Sequence, residues 1–148
     1  AVMKDGILQQ LGTPDDIYNR PANTYVATFI GSPTMNLVEG RTVAEAGRGF
    51  CITGADMPLR CPAAPGAQAL MGLRPEHIML SDNAAWRGTV SVVEPTGADT
   101  FIVIQTAAGE VTVRVSPQVR VQPGDRVGLE VPAQHVNWFD PASGLRLA

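Results

Sequence analysis

Apolar and polar residues alternate most cleanly in the second half of the chain. Val111, Val113 and Val115 are separated by Thr112 and Arg114, the two-residue period of a strand with one buried face. Val127, Leu129 and Val131 repeat that pattern after the turn Pro123-Gly124-Asp125. Further strands are predicted over Met35 to Val43, Phe50 to Thr53, Ala69 to Leu73, Trp86 to Glu94, Thr100 to Thr106 and Glu110 to Val115. A Gly-rich turn joins the first two. Pro58 to Gly66, with three prolines, reads as a loop, and Ala107-Ala108-Gly109 closes a hairpin. Val136 to Phe139 and Leu145 to Leu147 flank a last turn over Asp140 to Gly144. Many short strands between regular turn signals predict a mainly β chain curled into a small barrel.

The opening residues follow another rhythm. Asp5-Gly6 between Val2-Met3-Lys4 and Ile7-Leu8-Gln9-Gln10 is a hairpin signal. Thr13 can cap a helix whose first position suits Pro14, with Asp15 and Asp16 near its positive end. Asn19-Arg20-Pro21 ends it. Tyr25, Val26, Phe29 and Ile30 then form an apolar stripe at helical spacing, stopped by Gly31-Ser32-Pro33. The predicted division is therefore a short hairpin and helical segment over 1–33 and a barrel over 34–148. The first part reads as the tail of another domain.

Composition narrows the function. The 148 residues are 45% hydrophobic and 17% charged with a net charge of -3, a poor match for a binder of nucleic acid. No apolar run reaches the length of a bilayer span, and Ala1 to Gly6 lacks the pattern of a signal peptide. Cys51 and Cys61 read as reduced packing residues rather than a disulfide framework. No phosphate-cradling Walker A loop, nucleophile elbow or HExxH pair occurs, so no catalytic residue, cofactor site or metal site is expected. His77 and His135 are the two imidazoles. Glu76 adjoins His77, but neighbours on a strand face opposite ways, so a solvated or backbone-bonded histidine is expected.

Three polar or aromatic clusters stand out. In Gly72-Leu73-Arg74-Pro75-Glu76-His77, the proline fixes Arg74 and Glu76 relative to one another. The cluster is either a strand-end turn with solvated charges or a docking or ligand-facing edge. Glu94-Pro95-Thr96-Gly97-Ala98-Asp99 presents the same choice. Trp138-Phe139 places two large side chains side by side in a chain with 5% aromatics. Strand alternation predicts that one of them faces outward, where it can serve as a protein contact.

In chain order, Gly12-Thr13-Pro14, Ile17-Tyr18, Pro21, Val26-Ala27, Phe29-Ile30-Gly31-Ser32-Pro33 and Met35-Asn36 resemble the junction that follows the nucleotide-binding domain of sugar-type ABC importer ATPases. Leu73-Arg74-Pro75-Glu76-His77, Val93-Glu94 with Gly97, Gly124-Asp125 and Phe139-Asp140 with Gly144 resemble the C-terminal regulatory part of the same family. The likeness is strongest to maltose and glycerol-3-phosphate importer ATPases. It implies an OB-like barrel of the TOBE or MOP-like kind, attached behind an ATPase domain. It implies a homodimer beneath two membrane permease subunits, on the inner, cytoplasmic face of the membrane, and in some members a regulatory protein or ligand. Glu94, Gly97 and Phe139, with Trp138 beside it, fall where the family places regulatory or dimer contacts. ATP and magnesium would belong to the parent protein, not to this chain. The alternative is a MOP-like module for an oxyanion or small ligand. Asn36 with Gly40 echoes such a strand, but the paired repeat and the Ser-Ala-Arg-Asn motif are missing.

Overall fold

The computed structural model describes residues 1–43 and 49–147. The Gly-rich turn expected after Val43 lies outside the described residues. Strands β1 (Val2–Lys4) and β2 (Ile7–Gln10) form an antiparallel hairpin whose turn, Asp5-Gly6, has positive φ at both positions. Two short helices follow, α1 (Pro14–Asn19) and α2 (Thr24–Phe29). Thr13 caps the first by accepting the Asp16 N–H at 3.1 Å, and Asn23 caps the second by accepting the Val26 N–H at 2.9 Å. Among the described residues no helix is long and apolar enough to cross a membrane.

The remainder is mainly β and makes the OB-type fold. Its strands are β3 (Asn36–Thr42), β4 (Phe50–Ile52), β5 (Ala55–Met57), β6 (Gln68–Leu73), β7 (Met79–Leu80), β8 (Trp86–Pro95), β9 (Thr100–Thr106), β10 (Gly109–Val115), β11 (Arg126–Glu130) and β12 (Asn137–Phe139). One five-stranded antiparallel sheet runs β12-β6-β3-β4-β5, the other β10-β9-β8-β11-β7. Their inner faces share one core. Phe50, Met71 and Leu73 of the first sheet meet Trp86, Ile102, Ile104, Val113 and Leu129 of the second. A bulge between Val90 and Val92 interrupts the alternation of β8. Trp86, Gly88 and Val90 point inward before it, and Val92 stands exposed after it.

Two expectations are corrected. Trp138 and Phe139 are both buried, 8% and 0% exposed, so neither aromatic faces outward. They do point to opposite faces, but both faces of β12 are covered. Trp138 packs edge-to-face on Phe50 in the barrel core, with ring centroids 4.7 Å apart. Phe139 packs with Ala27 of α2 and with Met35 on the outer face. Glu76 and His77 do not lie on a strand: Pro75–His77 is a single 3₁₀ turn, as is Ala133–His135.

The start and end of the chain are joined. Leu145 bridges Asn23, the Thr24 N–H donates to Gly144 O at 2.9 Å, and the Arg146 N–H donates to Ala22 O at 2.9 Å. The expected terminal strand over Leu145 to Leu147 is thus reduced to bridges, one to Phe139 and one to the cap of α2.

Candidate functional site

Arg74 follows the last residue of β6 and is 1% exposed, so the solvated reading of its charge fails. Its guanidinium reaches the ends of both helices. Nη1 donates to Ile30 O at 2.7 Å and Ala27 O at 3.1 Å, and Nη2 donates to Tyr18 O at 2.9 Å. Carbonyls in the last turn of a helix lack intrahelical donors, and a cation there also meets the negative end of the helix. The guanidinium plane lies over the Tyr18 ring, 4.2 Å from its centroid. Burial pulls the Arg74 pKa down, while Tyr18 and Glu76 oppose it. The planar fork, with fixed N–H directions, suits this convergence on three carbonyls better than a lysine would.

Gly31 completes the clamp. It has φ of +103°, and a Cβ there would lie 3.1 Å from Arg74 Nη1. Pro75 is buried and begins the 3₁₀ turn, which carries Glu76 back toward α1. There the Tyr18 hydroxyl donates to Glu76 Oε2. Burial raises the Tyr18 pKa first, and the bond to Glu76 raises it further. For Glu76, burial acts upward, but the bonds from Tyr18 and its own N–H, with the Arg114 charge, leave it below the usual carboxylate value.

The two histidines, 58 positions apart in sequence, are stacked 4.0 Å centroid to centroid at 14°. Burial, then the neighbouring His135, hold the His77 pKa below its ordinary value. Spacing alone gave no sign of this pair, because it depends on the two 3₁₀ turns being brought together. Asn36 is likewise internal to the fold. Its Nδ2 donates to Leu73 O at 3.2 Å and Thr112 O at 2.9 Å, and its Oδ1 accepts the Thr112 N–H at 2.9 Å. The amide therefore ties β3 and β6 to β10 across the sheets.

Glu94 and Gly97 occupy a different place, the exposed tip of the β8–β9 hairpin. Gly97 has φ of +93°, and the Thr96 N–H donates to Asp99 O at 2.9 Å. Beside them a groove of about 520 Å³ is lined by Val93, Pro95, Gly97, Val119, Arg120 and Gln122, among others. Glu94 and Gly97 therefore sit at a surface and Trp138 and Phe139 in the interior, on the other sheet. Phe29 is 59% exposed, and Gly31 and Ser32 are also at the surface, with Pro33 half-buried. Burial pushes the Cys61 thiol pKa up, away from thiolate character. Among the described residues no three His, Cys, Asp or Glu side chains are grouped to hold a metal ion.

Two domain families match adjoining stretches of the chain: the MalK OB fold domain over residues 31–78 and the TOBE domain over residues 71–139. Their overlap contains the Arg74 cluster. The sn-glycerol-3-phosphate import ATP-binding protein UgpC of Ralstonia nicotianae is 41% identical over 156 residues, covering 99% of this chain and 43% of the relative. The protein of that name from Burkholderia thailandensis is 39% identical over 153 residues, with 98% and 42% covered. A putative ATP-binding protein of Brucella suis biovar 1 is 40% identical over 150 residues, with 99% and 42% covered. The chain thus spans less than half the length of these relatives. Among solved structures it resembles the cytoplasmic molybdate-binding protein ModG with molybdate bound. The TM-score is 0.52 and the identity 14%, over 72% of this chain and 96% of that one, a likeness of fold alone. Residues 31–139 thus carry the MalK OB fold and TOBE domains, and the chain's relatives include ABC importer ATP-binding proteins.

Proposed function

We propose that this chain is the regulatory and dimerisation domain of the ATP-binding subunit of an ABC importer for a carbohydrate or glycerol-phosphate-type solute. In this reading residues 1–33 are the tail of the nucleotide-binding domain, and 34–148 form the regulatory barrel. ATP and magnesium are bound by the parent's ATPase domain, which meets the permease subunits at the inner face of the membrane.

The observation that carries the reading is the position of the Arg74 clamp. It lies where the two matched domains overlap, and it fixes both helices of the N-terminal segment to the barrel. A segment joined rigidly to the barrel can pass a domain movement to it. The same segment leaves Ile7, Leu8, Leu11 and Phe29 exposed, 52–74% each, an apolar surface suited to a preceding domain. The Glu94–Gly97 tip and its groove are the proposed contact for a second copy or a regulatory protein. Trp138 and Phe139, buried on the other sheet, are not part of that proposed contact.

Sedimentation velocity on the chain and on Glu94→Lys tests the dimer. A concentration-dependent dimer, weakened in the variant, is expected. A monomer at every concentration, or a dimer indifferent to Glu94→Lys, would remove the dimerisation role. The alternative of a MOP-like oxyanion module rests on fold likeness, and the Asn36 amide that suggested it is taken up by backbone.

A further inference from the structure

A cleft of about 360 Å³ opens between α1 and the two 3₁₀ turns, and its charge is one-sided. Arg20, Arg74 and Arg146 line it together with the stacked His77 and His135, while Asp15 is the one carboxylate in the lining. Asp15 is engaged by Asn19 Nδ2 at 2.8 Å. Arg20 meets Asp16 at 3.4 Å, a solvent-exposed pair that neutralises it weakly. Arg146 is directed into the protein. It donates to Asn137 Oδ1 and to Pro21 O, both neutral oxygens. Burial first, and the Arg20 charge second, disfavour its cationic form. Three guanidinium groups are thus gathered here: Arg20 has the exposed Asp16, Arg74 feels the Glu76 charge while donating to carbonyls, and Arg146 donates to neutral oxygens.

A second observation is independent of charge. Among the described residues, three buried side-chain polar atoms lack a hydrogen-bond partner, and two of them, Arg74 Nε and His77 Nδ1, belong to residues lining this cleft. Arg74 is 1% exposed, so bulk water does not satisfy its Nε–H. A buried donor without an acceptor is costly, and native proteins rarely retain one without a ligand or an ordered water.

We propose that this cleft binds a small oxyanion of the phosphate class. Guanidinium forks match the paired oxygens of such an anion, and a dianion compensates more than one of the crowded cations at once. Arg20 at the rim supplies the fork contact, the orphaned Arg74 Nε–H a further donor, Arg146 a positive charge behind them, and the histidine stack one wall. Because Arg74 also holds both helices, an anion on its Nε couples occupancy of the cleft to the helix–barrel junction. The proposal does not rest on the importer reading. A monomeric chain that binds phosphate keeps this inference, and a dimer that ignores phosphate keeps the other.

Isothermal titration of the chain with inorganic phosphate, at ionic strength held constant with sodium chloride, is the test. One saturable site with Kd below about 1 mM is expected, as charge-assisted contacts from two or three donors would give. Arg20→Gln and His135→Gln change exposed side chains at the rim. Each should weaken binding, Arg20→Gln by about tenfold, with the melting temperature in phosphate-free buffer unchanged. Methyl phosphate in a parallel titration separates the sources. Equal binding points to phosphomonoesters, and binding of inorganic phosphate alone points to the free ion. No saturable heat with either, or affinity undiminished in both variants, overturns the proposal.

Discussion

Arg74 to His77 and Glu94 to Asp99 both leave the end of a long strand, and both set a proline beside an acid. The first is roofed by α1 and α2, and every charged group in it has a fixed neighbour. The second projects from a hairpin into solvent, and its Asp99 makes only a half-exposed pair with Arg114 at 4.0 Å. Local sequence gives the two stretches the same punctuation. What separates them is whether another element covers them, and that is decided by residues 13–30, far away in the chain.

Substitutions at matched positions should separate the two regions sharply. Arg74→Ala leaves three helix-terminal carbonyls without their donor and opens a cavity against Tyr18. A loss of about 3–5 kcal/mol in urea unfolding is expected, in the range for breaking a buried charged contact. Glu94→Ala, on the exposed tip, should stay within about 0.5 kcal/mol. A similar change for both would erase the distinction. Phe139→Ala, which empties the space between β12 and α2, should also cost about 3–5 kcal/mol. It should do so in monomeric protein, because the side chain is 0% exposed. A variant of wild-type stability would put Phe139 at a surface after all.

The paired glycines sharpen the comparison. Gly31 and Gly97 have φ of +103° and +93°, so alanine is strained at both. At Gly97 a Cβ meets nothing within 4 Å, and the strain of about 1–2 kcal/mol should be the whole effect. At Gly31 the Cβ also presses on Arg74 Nη1 at 3.1 Å, so Gly31→Ala should be the worse variant in thermal unfolding. The reverse order would mean that the clamp yields easily.

The smallest expected effect is on pH dependence. The His77 pKa is lowered in the fold from its ordinary 6.5, by burial and then by His135. Its contribution is therefore complete above 6.5 and is lost as pH falls through the lower folded value. Glu76, also lowered from 4.5, contributes in the same sense at more acid pH. Melting in phosphate-free buffer from about pH 7.5 down to pH 5 should fall less steeply in His77→Gln than in wild type. Parallel curves would show that His77 titrates as it does in the unfolded chain.

The strands of the barrel were legible because Val111, Val113, Val115, Val127 and Leu129 alternate cleanly and face one core. The Thr13 cap with Pro14 and the Gly31 stop of the second helix were equally plain, whereas the Asn23 cap of that helix went unread. The site was legible only as a suspicion. Arg74 read either as solvated or as part of a docking edge, because nothing local marks the carbonyls of Ala27, Ile30 and Tyr18 as its partners. The His77–His135 stack requires two 3₁₀ turns at distant positions, and neither turn has a strong sequence signal. At Trp138-Phe139 the alternation was right and the inference of exposure was not. A strand face points to solvent only if no helix covers it, and α2 covers this one.

The central claim is that one guanidinium fixes both N-terminal helices to the barrel. Amide hydrogen exchange of wild type and Arg74→Gln, resolved by residue, tests it most directly. The account predicts that the amides of Ile17, Arg20, Ala27 and Ile30, which close the two helices, lose protection in the variant. Those of the β9–β10 ladder, Ile102 to Val113, should keep theirs. Protection unchanged in the helices, or lost equally in helices and ladder, would contradict it.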